Sequence, residues 1–477
     1  MLEIRNGSPA LCIGPQRDHT FESPAPRRGP IRPQMLRLRS LRLTARSASA
    51  SVLALASTLT FVSPALALQP VEQFLAHART WNPSNRAAHA TVEQRDAEVG
   101  VNTGNLLPNF TASGTYTHNQ YELALPPAES GLFGTSLIVP YNQLDAYLML
   151  NVPIINIANW DRRDAAKSTL EGAHADEKNS VITVEKTVMR DYYQLLGYEA
   201  VLLSAQHNLE VAQHNVKLAR DRKENGTGSE LDVQRGLADQ ARAEQAVTAA
   251  RLNVVNTRRD LFSQSGLEPD PAAAGFPEDD LHEEPSLASW MGEASNTPAV
   301  ASAVAATKAA NDAAHAARTG WLPTLLGTAE EKFTNAAAFN GGHNELYLLQ
   351  INALWKLDLT ITPQIHAQNA AYAAARAHED SVRTAAQDAV YRDWQQIHAD
   401  IDSARAARVQ VAATKLAASL AEDRYESGVA TQLDVLQARQ DAFAADVARI
   451  QTDADLAYAR TALRLDAGRL TATKDAR

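Results

Sequence analysis

The sequence predicts a mainly α-helical chain with a β-strand part, built by tandem duplication. Three observations carry this: a glycine-centred turn motif that occurs twice, long helical stretches free of proline, and short segments of alternating polarity. In the first turn, spanning 222–233, Arg222 is followed by Gly226, Ser229, Leu231, Asp232 and Val233. In the second, spanning 424–435, Arg424 is followed by Gly428, Thr431, Leu433, Asp434 and Val435. The copies are offset by 202 residues, and the same offset carries Gly266 to Gly468. Upstream, an offset of 215 relates Pro83 to Pro298 and Leu107-Pro108 to Leu322-Pro323. A repeat of about 200 residues is a duplicated domain, since solenoid units repeat every 20–50 or so.

Taken from the N-terminus, residues 1–34 show no periodicity and read as an extension, untranslated if Met35 is the start. Residues 35–67 read as an export signal. Arg37, Arg39, Arg42 and Arg46 precede a short apolar run from Val52 to Val62, and Ala65-Leu66-Ala67 supplies small residues for cleavage. The run holds Ser57, Thr58 and Thr60 and stops at Pro64, which is too short and too polar for a spanning helix. Removing the leader leaves 36 basic and 52 acidic residues, a net charge of −16 instead of −10, and takes away Cys12, the only cysteine. Such a chain has no basic footprint for nucleic acid and cannot form an internal disulfide. No later stretch approaches 18 consecutive apolar residues, so the exported chain is expected in the periplasm, outside the cell, or in the outer membrane as a β-barrel.

The mature chain divides into repeats at 68–282 and 283–470, with a short tail at 471–477. Each repeat is expected to hold a helix (about 83–105 and 298–320), the Leu-Pro, two strands, a very long helix to the turn, and a second helix beyond it. Strands are expected at about 109–118, 143–153, 325–334 and 345–358. In the first, Phe110, Ala112, Gly114 and Tyr116 alternate with Thr111, Ser113, Thr115 and Thr117. In the second, Leu144, Ala146, Leu148, Leu150 and Val152 alternate with Asp145, Tyr147, Met149 and Asn151. In the last, Tyr347, Leu349, Ile351, Ala353 and Trp355 carry the apolar face, although Leu346 and Leu348 blur the other. Segments of about ten residues with one apolar face suit a tilted bilayer-spanning strand, with Tyr116, Tyr147, Tyr347 and Trp355 as interface aromatics. The same alternation also fits a soluble hairpin packed on a helix.

Four strands in lipid would leave two edges of unpaired backbone groups, each costing several kcal/mol. Membrane strands therefore demand an oligomer. Two chains would give about eight strands and a lumen filled by side chains; three would give about twelve and room for a pore.

From about Trp160 to Glu224 there is no proline, and some 65 residues at 1.5 Å each reach roughly 95 Å. Val188, Leu195, Tyr198, Leu202, Ala205, Leu209, Ala212, Val216 and Ala219 recur at steps of three and four, a heptad seam interrupted by Asp191. Leu433, Leu436, Phe443, Val447, Ile450 and Ala457 form a second seam. Gly226 and Gly428 are placed to end a helix with φ > 0, and Ser229 and Thr431 to cap the next. Asp232 and Asp434 then fall in the first turn, where the helix dipole favours a negative charge. Capping alone accounts for both acids; in an assembly of three chains each would also become a ring of three charges.

No nucleotide-binding loop, zinc-helix motif or mature thiol nucleophile is present, so no enzyme, cofactor or metal is expected. His207 and His214 stand seven residues apart on one helix, too far for one ion, and His282, Glu283 and Glu284 read as an exposed linker.

With its leader, its duplication, its two Leu-Pro-to-strand hairpins and its paired turns, the chain resembles the TolC family of outer-membrane efflux and secretion channels over residues 68–477. The resemblance implies a homotrimer in which a twelve-strand barrel sits in outer-membrane lipid and a twelve-helix α-barrel crosses the periplasm. It implies that the turns at Gly226, Ser229, Leu231, Gly428, Thr431 and Leu433 dock a periplasmic adaptor (membrane fusion protein), which couples to an inner-membrane pump of RND or ABC type. It also implies an entrance gate in which Asp232 bonds Tyr425 across subunits. Ala430 stands where the family's best-known member has an arginine, and Gln437 replaces an acid beside Asp434, so the charged part of that lock is absent. The alternative is a soluble periplasmic coiled-coil adaptor or scaffold, which usually carries one helical hairpin between β-domains rather than two in duplicated order.

Overall fold

The computed structural model describes residues 68–124, 137–270, 276, 278–336 and 343–469; the extension, the leader and the tail expected at 1–34, 35–67 and 471–477 lie outside them. The first repeat runs through α1 (Val71–Trp81), α2 (Pro83–Gly104), β1 (Asn109–His118), the short β2 (Leu123–Ala124) and β3 (Leu137–Val139), then β4 (Asn142–Ile155), α3 (Ile157–Glu224) and α4 (Glu230–Ser265). The second runs through α5 (Leu287–Ala294), α6 (Pro298–Thr319), β5 (Thr324–Thr334), β6 (Glu345–Leu354), α7 (Ile361–Glu426) and α8 (Gln432–Asp466). The short helices α1 and α5 were not anticipated from the sequence.

The duplication is visible in the helix ends. Both α2 and α6 have 22 residues and begin on a proline, whose fixed φ and missing N–H suit the first helical turn. Each stops shortly before its Leu-Pro, because the residue ahead of a proline is driven out of the α region. At 68 residues α3 extends about 100 Å. It packs on α4, α6 and α8, and its seam is buried at Val188, Leu195, Ala205, Ala212, Val216 and Ala219. The α8 seam is buried at Leu436 and Ile450, but Leu433 is 50% exposed and does not belong to it. Leu433 is the second residue of α8, beyond the end of α7.

β1, β4, β5 and β6 form one antiparallel sheet in that order, so the central pairing, β4 with β5, joins the two repeats. Both edges, β1 and β6, are open in the protomer. The register aligns Phe110 with Leu150, Leu148 with Glu331, and Glu331 with Tyr347, which collects Tyr116, Leu144, Leu150, Phe333, Leu349 and Ile351 on one mainly apolar face that also carries Glu331 and Glu345. That face is bare: Tyr347, Leu349 and Ile351 are each more than 70% exposed. No helix of the described residues is long and apolar enough to cross a membrane.

Two strand expectations are corrected. Tyr147 pairs with Lys332 on the opposite face, with the ammonium 5.3 Å from its ring, so period-two geometry turns it away from the Tyr116–Tyr347 face. β6 ends at Leu354, not at 358, because the chain turns there into α7: Asp358 accepts from the Thr360 N–H (2.9 Å) and the Ile361 N–H (3.2 Å). Trp355 thus lies just past the strand, where its indole N–H donates to the Trp321 carbonyl at 2.9 Å. With exposed Trp160 and Trp321 it marks the junction between sheet and helices.

The linker between repeats is held down chiefly by Arg460, with Arg408 and Trp394 bonding its backbone. Arg460 of α8 is 5% exposed, and all five of its N–H donors are used. It pairs bidentately with Asp279 (3.0 and 3.0 Å) and bonds Glu284 (2.7 Å), the His282 ring (3.0 Å) and the His282 carbonyl (2.7 Å). His282 and Glu283 are exposed, as read from the sequence, but the Glu284 side chain is buried against Arg460. Asp279, Asp280 and His282 cluster closely enough to suggest a cation, but Arg460 already occupies their charge. Since His282 Nε2 accepts from Arg460, its proton sits on Nδ1, facing Asp280 at 2.5 Å.

Candidate functional site: the paired helix turns

The two turns are built alike. α3 ends in a Schellman motif: Thr227 N–H donates to the Arg222 carbonyl (2.9 Å) and Gly226 N–H to the Lys223 carbonyl (3.0 Å). α7 ends the same way, with Val429 to Arg424 (2.8 Å) and Gly428 to Tyr425 (3.1 Å). Gly226 and Gly428 have φ of 75° and 79°, a region that penalises any Cβ. The expectation of a positive φ at both glycines is met.

Each following helix opens on a capping box. Ser229 Oγ accepts from the Asp232 N–H (3.2 Å), while the Asp232 carboxylate accepts from the Ser229 hydroxyl (2.8 Å) and N–H (3.3 Å). Thr431 and Asp434 repeat this at 3.3, 2.8 and 2.9 Å. Those bonds to the Thr431 N–H and hydroxyl hold the Asp434 carboxyl below its ordinary range. Glu230 is lowered by its bonds to Lys223 and Gln234. Ser229→Ala and Thr431→Ala should each make the first turn of the following helix exchange its amide hydrogens roughly fivefold faster. Hydrogen exchange read at residues 230–235 and 432–437 checks this, and unchanged rates would show that the boxes are decorative.

Between caps and glycines the turns display apolar side chains to solvent. Leu231, Leu433 and Val429 are each at least half exposed. Asp434 and Gln437 are exposed one turn apart on α8. The Ala430 N–H donates to the Arg424 carbonyl (3.1 Å), and its methyl offers no charge. Among the described residues no hydrogen bond joins Asp232 to Tyr425 inside the protomer. Tyr425 lies instead beneath Arg222, whose guanidinium carbon is 4.3 Å from the ring centroid.

Arg222 was part of the quoted motif but was not singled out; its place one turn before Gly226 was the available signal. Asn215, Gln432 and Arg439, which line a cavity beside Tyr425, carried no periodic mark and were missed.

A four-stranded sheet with an apolar open face, joined to two long helical hairpins, defines a class of duplicated outer-membrane channel protomers. The chain belongs to the outer membrane efflux protein family, whose profile matches residues 75–267 and 293–469. It is similar to the outer membrane efflux protein BepC of Brucella suis, at 28% identity over 305 residues, which cover 63% of this chain and 66% of that one, just under two thirds of its length. Its fold matches the CmeC outer membrane channel of Campylobacter jejuni with a TM-score of 0.73 at 17% identity, covering 84% of this chain and 86% of that one. It also matches the outer membrane protein VceC of Vibrio cholerae, with a TM-score of 0.70 at 17% identity over 83% and 96% of the two chains. Family membership places the chain at the outer membrane, with its helices extending into the periplasm.

Proposed function

We propose that the chain is one protomer of a homotrimeric exit duct for a tripartite efflux pump or a type I secretion system. The observation that carries this is the four-stranded sheet, whose apolar face is bare and whose two edges are open. Open edges cannot persist in lipid, so further copies must pair with β1 and β6, and three is the smallest number whose closed barrel leaves a lumen. The same three copies bring together twelve long helices. The duct is passive: transport energy comes from an inner-membrane pump, coupled through a periplasmic adaptor that docks at the turns around Gly226 and Gly428. Asp232, Asp434 and Gln437 ring the periplasmic entrance, and Tyr116, Tyr347 and Trp355 meet the lipid interfaces.

Fractionation tests the reading. The expected result is a heat-modifiable trimer, extracted from the outer membrane by detergent, that conducts in planar bilayers. Release of the protein in the osmotic-shock fraction would reject it in favour of a soluble periplasmic adaptor or scaffold.

A further inference from the structure

We infer that Arg222, stacked on the ring of Tyr425, is the latch that holds the two helical hairpins of each protomer together at their tips. The inference rests on the duct reading and assigns the holding contact to this chain's own residues in place of the charged side chain that Ala430 lacks.

Arg222 sits in the last turn of α3 and Tyr425 in the last turn of α7, so their contact joins the first repeat to the second. Both side chains are half-buried, and the guanidinium carbon lies 4.3 Å over the ring. Among the described residues no carboxylate reaches ion-pair distance of Arg222, and no group hydrogen-bonds the Tyr425 hydroxyl. The ring face is thus the partner of the cation, a geometry in which the ring quadrupole attracts the charge. Both backbones are pinned by the Schellman bonds at the helix ends. Arg222 O accepts from Thr227 N–H (2.9 Å) and Gly228 N–H (3.0 Å), and Tyr425 O from Gly428 N–H (3.1 Å).

The layer behind the stack packs α3 on α8 but leaves polar groups unpaired. A cavity of about 190 Å³ separates α3 from α7 and α8 there, lined by Asn215, Tyr425, Gln432 and Arg439. Asn215 Nδ2, Gln432 Oε1 and Arg439 Nη1 are buried and without a hydrogen-bond partner among the described residues. Unpaired polar groups at a helix interface favour its hydration and separation rather than its closure. Glu422 and Arg439 bond each other at 2.5 Å, but both belong to the second hairpin. The next tie between hairpins is Gln440 to Asp239 (3.1 Å), about two turns further along α8. Among the described residues the stack is thus the one polar side-chain contact between the hairpins at the tip, and its loss weakens the hold of α7 and α8 on α3.

Single-channel recording on the full-length trimer tests this. Arg222→Gln and Tyr425→Leu are each expected to raise the open-to-closed ratio roughly fivefold per latch, the size of a half-buried cation–π contact. The double variant should add nothing to either single one. Tyr425→Phe keeps the ring and should behave as the parent. Trimer content in detergent is measured for every variant, and the Phe variant serves as the folded control. The latch is overturned if Tyr425→Phe opens the channel as far as Tyr425→Leu, which would give the role to the hydroxyl and a bond to Asp232 across subunits. It is also overturned if the two effects simply add. Fractionation separates the failures: an outer-membrane trimer indifferent to these substitutions overturns the latch alone, whereas release by osmotic shock overturns the duct reading with it.

Discussion

Replacing Arg460 by methionine is expected to cost about 3–5 kcal/mol of stability, because it strands the buried carboxylate of Glu284 and the half-buried one of Asp279. Asp279 and Glu284 would lose bonds of 3.0 and 2.7 Å, and the His282 carbonyl one of 2.7 Å. Arg408 donates to the Asp279 carbonyl (2.8 Å) and to the fully buried Asp453 (3.1 Å), so linker, α7 and α8 would loosen together. A circular-dichroism melt of the detergent-extracted protein checks the loss. Adding Glu284→Leu to Arg460→Met should recover part of the midpoint, since the uncompensated charge is what destabilises. An unchanged melt for Arg460→Met would mean that the linker contributes nothing to the helical core.

Asp393 should make the protein less stable as pH rises from about 4 to about 7. Burial raises its pKa to about 7, aided by neighbouring Asp466 and opposed by Lys186 and Arg392. The native state thus keeps a proton that the unfolded chain has already lost in this interval, and the slope of stability with pH is negative. Lys186 lies 2.6 Å from Asp466, so a charged Asp393 has to share that one ammonium. The Asp393 Oδ2 atom is buried without a donor, consistent with an acid that needs its own proton. Asp400 and Asp455, raised first by their burial, line the same cavity of about 290 Å³ and steepen the trend. Melts at pH 5 and pH 8 should differ for the parent chain, and Asp393→Asn should raise the pH 8 midpoint and flatten the difference. Parallel pH profiles for the two would remove Asp393 from the account.

How much was legible in the sequence follows from the range of each interaction. Pro83 and Pro298, the glycines at 226 and 428 and the caps at Ser229 and Thr431 act within a few residues of themselves, so their spacing foretold helix starts, turns and caps. Strand alternation located β1 and β4 well. It overran β6, because the apolar alternation runs on through Trp355 and Leu357 while the backbone already turns into α7 at Asp358. It set Tyr147 on the face opposite Leu144, but a strand pattern names two faces without saying which one the protein shows to lipid.

By itself the sequence determined the duplication, the lengths of the helices, the two turns and the need for partner copies, because these are consequences of backbone geometry and of period. Only the tertiary structure decided which parts of the two repeats touch. The pairing of β4 with β5, the capture of the linker by Arg460 and the stacking of Arg222 on Tyr425 each join residues at least 170 positions apart. Over such separations no local preference selects a partner. Packing does, and it also buried Glu284 in a linker that read as exposed.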